Sequence, residues 1–237
     1  MDAALNIQGL TKVFGIRKAL DKVSLTLPEG AFLSVFGHNG AGKSTLLRIL
    51  ATLDKPTSGK VSVLGFDTKE DAEKIRAHIG YISHNPLLYG DMTAEENLLF
   101  FANLYGVENP KERVRTLLRE VELEHRRLDV ARTFSRGMTQ RLSIARALLH
   151  DPKLIFLDEP YAGLDPHAIE ILDLLLSDIR EDRTFVMVSH NLQKGYDLAS
   201  HILLLSRGKV ATFESTEALG FEELHQLYKQ TVGEGVS

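Results

Sequence analysis

Cysteine is absent from this 237-residue chain, which excludes disulfides and cysteine-ligated metal while leaving the compartment undecided. Long apolar runs are absent too: none approaches the roughly 20 residues needed to span a bilayer, so any membrane role requires a partner. No charged-then-apolar leader pattern is found at Met1-Asp2-Ala3-Ala4-Leu5-Asn6, and a cytosolic, soluble polypeptide is expected. An excess of positive charge is also missing. The formal net charge is −4, which supplies no global basic field to favour nucleic acid. Internal repeats and low-complexity linkers are lacking. What remains is ample for one domain with a sizeable core, with two small subdomains as an alternative.

The most informative stretch present is Gly37-His38-Asn39-Gly40-Ala41-Gly42-Lys43-Ser44-Thr45. It fits G-x-x-x-x-G-K-[ST], a loop built to hold nucleotide phosphates. Gly37, Gly40 and Gly42 let the backbone turn tightly so that several N–H groups converge on one anion. Lys43 is placed to reach the β- and γ-phosphates, and the Ser44 hydroxyl to ligate Mg²⁺. A short apolar run, residues 31–36, precedes the loop with strand character. A helix beginning at Thr45 is expected after it, its N-terminal dipole facing the phosphates. Nucleoside triphosphate binding follows from this element.

Around the loop, the first part of the chain is β-rich. Residues 5–10 and 20–27 alternate apolar and polar side chains, as half-buried strands do, and Pro28-Glu29-Gly30 reads as a turn. Further strands are expected at 59–65 and 79–83. From Thr93 through Leu128 the period becomes helical, with one stripe at Leu98, Phe101 and Tyr105 and a second at Val114, Leu117, Leu118 and Val121. Thr93 and Glu96 have the spacing of a capping box. The last third returns to α/β alternation: strands at 154–157, 184–188 and 202–205, and a helix from Pro166. Continuous apolar runs such as 154–157 suit a parallel sheet buried on both faces.

Residues 154–159, Leu-Ile-Phe-Leu-Asp-Glu, form a second chemical element. An apolar strand ending in acids delivers carboxylates to the carboxyl edge of a parallel sheet, where α/β ligands bind. Asp158 is expected to hold Mg²⁺ and Glu159 to polarise an attacking water, which favours hydrolysis over mere binding. A third element, Phe134-Ser135-Arg136-Gly137-Met138-Thr139-Gln140-Arg141, is read as lying just before a helix over 142–149. By itself it is equally a serine N-cap with a glycine turn.

Taken together, these elements resemble the nucleotide-binding subunit of an ATP-binding cassette (ABC) transporter, from about residue 5 to about residue 215. The order matches: Phe14 where an aromatic stacks on adenine, the phosphate loop at 37–45, the loop at His84, the signature at 134–138, the acidic strand, Ala162-Gly163-Leu164-Asp165, and His190 as the switch histidine. The resemblance implies an α/β, P-loop NTPase (RecA-like) core with a parallel sheet, an antiparallel β-subdomain and an inserted helical subdomain. On that pattern the whole chain, 1–237, is one ABC ATPase domain. Residues 1–84 and 150–215 form the core, 85–149 the helical signature subdomain, and 216–237 a C-terminal helical tail. It also implies ATP and Mg²⁺ as ligands and a head-to-tail dimer of two copies with ATP between them. Each ATP would touch residues 37–45 of one copy and the Ser135-Arg136-Gly137 segment of the other, with Ala162-Gly163-Leu164-Asp165 contacting across the dimer and Asp165 counted among the nucleotide-binding residues. His190 would contact the γ-phosphate, with Lys43, Glu159 and His84 as the other catalytic groups and Ser44, Asp158 and His84 at the metal. Polytopic membrane subunits are the implied partners, placing the chain on the cytoplasmic face of the membrane, with no role for nucleic acid.

Two departures from the family pattern stand out. The signature is Phe-Ser-Arg-Gly-Met where the family usually has Leu-Ser-Gly-Gly-Gln, so Arg136 adds a charge able to pair with an acid or a phosphate. His84 stands where glutamine is usual, and imidazole loses its lone pair once protonated. Residues 80–98 and the Ser-Arg-Gly-Met run are similar to the haem-exporter ATPase of cytochrome c maturation; exporters of multidrug and polysaccharide type are the alternative. A soluble cassette ATPase acting on DNA or ribosomes is less expected, because only one phosphate loop is present and residues 50–133 carry no sustained heptads.

Overall fold

The computed structural model describes residues 3–83, 85–180 and 183–233, with residues 232 and 233 described by backbone alone. His84 therefore lies outside the described residues. In chain order the first elements are β1 (Ala3–Phe14), β2 (Arg17–Pro28), β3 (Phe32–Phe36), α1 (Lys43–Leu50), β4 (Ser58–Val63), β5 (Phe66–Asp67) and α2 (Ala72–Arg76). Next come β6 (Ile79–Ile82), α3 (Ala94–Leu104), α4 (Pro110–Glu120), α5 (Arg136–Ala147), β7 (Leu154–Asp158) and α6 (Pro166–Asp178). The chain closes with β8 (Thr184–Val188), α7 (Leu192–Leu198), β9 (His201–Ser206), β10 (Lys209–Ser215) and α8 (Phe221–Gly233). It divides into two compact units. One comprises residues 1–76, 156–159 and 184–237, the other 77–155 and 160–183.

The first unit holds two sheets. An antiparallel sheet runs β2-β1-β4-β5, with Ile7 opposite both Leu25 and Val61. Alternation puts Leu5, Ile7, Leu20, Leu25, Leu27, Val61 and Val63 inside, as a one-sided strand pattern requires. The other sheet orders its strands β10-β9-β3-β8-β7 within this unit. β3 pairs in parallel with β8 and β9, Leu33 facing Val186 on one side and His201 on the other. All five residues of β3 and of β8 are buried, because helices and strands cover both faces of a parallel sheet. Phe36, Ile202, Leu204, Leu219 and Leu224 form a further core cluster that seats α8.

The second unit is helical apart from β6, where the His78 carbonyl accepts from Lys153 N–H at 2.9 Å beside the first residues of β7. The capping box forms as its spacing indicates: Glu96 N–H donates to Thr93 Oγ1 at 3.1 Å, and Thr93 N–H to Glu96 Oε2 at 2.8 Å. Val114, Leu117, Leu118 and Val121 are all fully buried. The other stripe fails at its end. Leu98 is buried but Tyr105 is 41% exposed, since the helix stops at Leu104 and the chain turns at Gly106 with φ 65° before Pro110 starts α4. The helical period likewise ends before Leu128, with only a 3₁₀ turn over Glu124–Arg126. The signature corrects the expected boundary too. α5 begins at Arg136, not after Arg141, because Ser135 Oγ accepts from Met138 N–H at 3.3 Å and so caps the helix.

Candidate functional site

β3 feeds the glycine loop, and the loop feeds α1. Gly37, Gly40 and Gly42 all have positive φ, at 149°, 81° and 106°. At two of them space also demands glycine: a Cβ on Gly37 would overlap the Leu205 carbonyl oxygen, and one on Gly42 would lie 2.5 Å from that of Ala19. Gly42 is the N-cap of α1 and provides no side-chain cap, so first-turn N–H groups stay available to an anion. The helix starts at Lys43, two residues earlier than expected, so the lysine and Ser44 belong to that first turn.

Lys43 is only 6% exposed. Its ammonium donates to the Gly37 carbonyl at 2.7 Å and the His38 carbonyl at 3.2 Å. Burial lowers its pKa, while the carboxylates of Glu159 and Asp158 act in the other direction. Ser44 Oγ donates to Asp158 Oδ1 at 3.5 Å, across 114 residues of sequence. Thus the hydroxyl of the loop and the carboxylate ending β7 converge on one spot. Hard divalent cations of the Mg²⁺ type are held by one or two such protein oxygens, with phosphate and water completing the shell. This donor set fits Mg²⁺, and among the described residues no group of three or more His, Asp or Glu side chains gathers for a metal elsewhere.

Glu159 follows β7 with φ 55°, a conformation that costs a non-glycine residue roughly 1–3 kcal/mol and is often stored at working sites. Its N–H donates to the Val188 carbonyl at 3.0 Å, which ties it to the end of β8. There His190 N–H donates to Oε2 at 3.1 Å and His190 Nε2 lies 3.2 Å from Oε1. Burial raises the Glu159 pKa, partly opposed by His190. A carboxyl kept above its ordinary range is suited to accept a proton near neutral pH.

Lys43, Ser44, Glu159 and His190 line one cavity of about 410 Å³, together with Phe14 and Thr45. Asn39, Gly40 and Gly42 form part of its wall. Gly37 and Ala41 are buried in the loop, and His38 folds back so that Nδ1 meets the Asn39 carbonyl at 2.7 Å. Four expected residues are placed elsewhere, in the second unit. Ser135 caps α5, and Asp165 caps α6 by accepting from Ala168 N–H at 2.9 Å. Gly137 is buried where a Cβ would come 3.0 Å from that of Ala168, and the Arg136 guanidinium lies against Gly163. Arg17 is a cavity residue that sequence reasoning missed. Its signal was a basic side chain directly after the Gly15-Ile16 turn that follows Phe14.

A glycine loop between a parallel strand and a helix, with an acid-ended strand two positions away in the same sheet, defines a P-loop nucleoside triphosphatase. A family model described as "ABC transporter" matches residues 20–162. The chain is 37% identical over 212 residues to the bacitracin transport ATP-binding protein BcrA of Bacillus licheniformis, covering 89% of this chain and 69% of that protein. It is 34% identical over 228 residues to the ABC transporter ATP-binding protein NatA of Bacillus subtilis, covering 93% of each. Among solved structures, the dimeric post-hydrolysis state of the ATP-binding cassette MJ0796 bound to ADP and Pi matches with TM-score 0.82 and 31% identity, covering 89% of this chain and 98% of that one. The chain belongs to the ABC transporter family and is an ATP-binding, ATP-hydrolysing cassette.

Proposed function

We propose that the chain is the energy-supplying ATPase of an exporter whose membrane-spanning subunits are separate polypeptides. The observation that carries this reading is the convergence of Lys43, Ser44, Asp158, Glu159 and His190 around a single glycine-loop cavity, within a chain related to a bacitracin transport ATPase. Among the described residues no helix is long and apolar enough to cross a membrane, which suits a peripheral subunit on the cytoplasmic face. In this reading residues 37–45 and Lys43 hold the triphosphate, and Phe14 takes the base. Ser44 and Asp158 would hold Mg²⁺, which would neutralise phosphate charge. Glu159 accepts the proton of the attacking water, and His190 keeps that carboxylate oriented. Ser135, Arg136, Gly137 and Asp165 belong to the surface that a second, head-to-tail copy offers to the nucleotide. Residues 85–149 act as the helical subdomain of a single cassette, 1–84 and 150–215 as its core, and 216–237 as its tail. His84 would stand where a metal- or water-orienting side chain is needed.

The raised pKa of Glu159 has a direct consequence. A base must be unprotonated to act, so kcat should fall on the acid side at a pH above the ordinary glutamate range. A kcat–pH profile whose acid limb coincides with free glutamate would remove the burial argument for this residue.

The cargo class follows from the relatives, which favour a peptide antibiotic or drug. A second reading, the haem-exporter type, is favoured only by residues 80–98 and the Ser-Arg-Gly-Met signature. Transport by vesicles containing the chain and its membrane partner, loaded with bacitracin-like peptide or with haem, separates the two. Partner docking is expected at the aromatic surface of the second unit. Leu87, Tyr89, Phe100 and Leu104 are 50%, 48%, 40% and 70% exposed, and Tyr89 packs edge-on against Phe100 at 5.1 Å. Beneath them, buried Asn97 clips the Tyr89 backbone, accepting from its N–H at 2.8 Å and donating to its carbonyl at 2.9 Å. Such a patch marks a partner site. Tyr89→Asp should therefore fold with its basal hydrolysis and lose co-purification with the membrane subunit. Full co-purification would place docking elsewhere, and loss of folding would make Tyr89 a core side chain.

A further inference from the structure

Phe14 sits at the end of β1, half-exposed. Lys12, two residues back, places its ammonium 4.7 Å from the ring centroid. That ammonium is itself held. It donates to Asp54 Oδ1 at 2.5 Å and to the Lys55 carbonyl at 2.8 Å. The side chains of Lys12 and Asp54 are only 12% and 23% exposed, so solvent screens this pair less than an ordinary surface bridge. Asp54 is anchored in turn: Oδ1 accepts from Lys55 N–H at 2.8 Å, and its own N–H donates to the Arg48 carbonyl at 3.2 Å. Arg48 lies in the last turn of α1, the helix whose first residues are Lys43 and Ser44. The adjacent backbone is fastened to the same segment, Val13 N–H donating to Thr57 Oγ1 at 3.0 Å. Past the turn, Arg17 reaches the Gly40 carbonyl at 3.4 Å.

We propose that Lys12 is a positioning residue for the purine, its ammonium, fixed by Asp54, holding the Phe14 ring and polarising it for stacking. This rests on the reading of Phe14 as the base platform. The physics is that of a cation over an aromatic face: it draws the ring's π density toward itself and fixes the ring's tilt. The opposite face is left electron-poor and better matched to electron-rich adenine. Because Asp54 hangs from the phosphate-binding helix, base and triphosphate sites are set relative to each other by one short chain of contacts. The hydrogen bond from the Lys12 ammonium also holds the Asp54 carboxyl below the usual carboxylate range.

Lys12→Met preserves the stem and deletes the charge. KM for ATP should rise about three- to tenfold with little change in kcat, the size expected for a partly shielded cation–ring contact. Competition by inorganic tripolyphosphate, which has no base, should be unchanged, and Lys12→Arg should restore most of the loss. In a Phe14→Ala background, Lys12→Met should have almost no further effect, since the two act as a unit. Asp54→Asn tests the same chain of contacts without touching Lys12 and should move KM in the same direction, with thermal melts reporting whether each variant is folded. Three results would overturn the proposal: an unchanged KM in folded Lys12→Met, equal weakening of tripolyphosphate, or an undiminished effect in the Phe14→Ala chain. Failure of the underlying reading looks different, because Phe14→Ala would then leave KM for ATP unaltered.

Discussion

Glu159→Gln is expected to leave ATP binding largely intact and to abolish steady-state hydrolysis. The side-chain carbonyl of glutamine can still accept from His190 N–H, the contact that Glu159 Oε2 makes at 3.1 Å, so the cavity keeps its shape. What disappears is the proton acceptor, and loss of a positioned general base slows the chemical step about 10²- to 10⁴-fold. Folding should not suffer. Burial already disfavours the charged form of Glu159, so a neutral isostere removes a desolvation cost, and the melting temperature should equal or exceed that of the parent. With binding intact and hydrolysis blocked, ATP should accumulate in a dimer. Phosphate release and size-exclusion in ATP measure both halves. Parent-like turnover in the variant would remove Glu159 from the mechanism, and hydrolysis lost together with ATP binding would make it a structural residue.

Lys43→Ala is expected to fail one step earlier, at binding. The ammonium is the one cation buried in the glycine loop, already desolvated and already aimed by two carbonyls. Charge-assisted hydrogen bonds to phosphate are worth roughly 2–3 kcal/mol in such surroundings, or about 30- to 150-fold in affinity. The same substitution removes the lysine donor from the Gly37 carbonyl, while the His38 carbonyl keeps the Ala41 N–H at 3.1 Å, so a modest drop in melting temperature should accompany the loss. Equilibrium titration with a fluorescent ATP analogue on folded protein reads the affinity directly. An unchanged dissociation constant would mean that the triphosphate does not lie on this loop.

The legible elements were those whose physics is local. The glycine loop can be read because three positive-φ residues, a lysine and a hydroxyl must occur at fixed spacing for the backbone to wrap an anion. The capping box at Thr93 and Glu96 involves four consecutive residues, and the stripe from Val114 to Val121 is a matter of helical period alone. The errors arose where a distant segment decides. At the signature, residues 134–141 read as lying ahead of a helix, or as a serine N-cap with a glycine turn. Yet Gly137 sits inside α5, where a Cβ would come within 3.0 Å of that of Ala168, a tight contact that a distant segment of the sequence sets. Tyr105 continued an apolar period that Gly106 and Pro110 then cut short.

Sequence alone therefore determined the phosphate loop, the acid-ended strand and the order of motifs, because each is a short run whose side chains act on their own backbone or on a ligand's phosphates. Only the tertiary structure decided that Ser44 meets Asp158 across 114 residues and that His190 closes on Glu159. It alone tied Lys12 to Asp54 beneath the Phe14 ring. Those contacts depend on the parallel register of β3 and β8, the strand order that places β7 beside β8, and the antiparallel pair of β1 and β2, whose register shifts between Leu10 and Val13. Pairings of that kind are chosen by burial summed over the whole core, which no window of neighbouring residues contains.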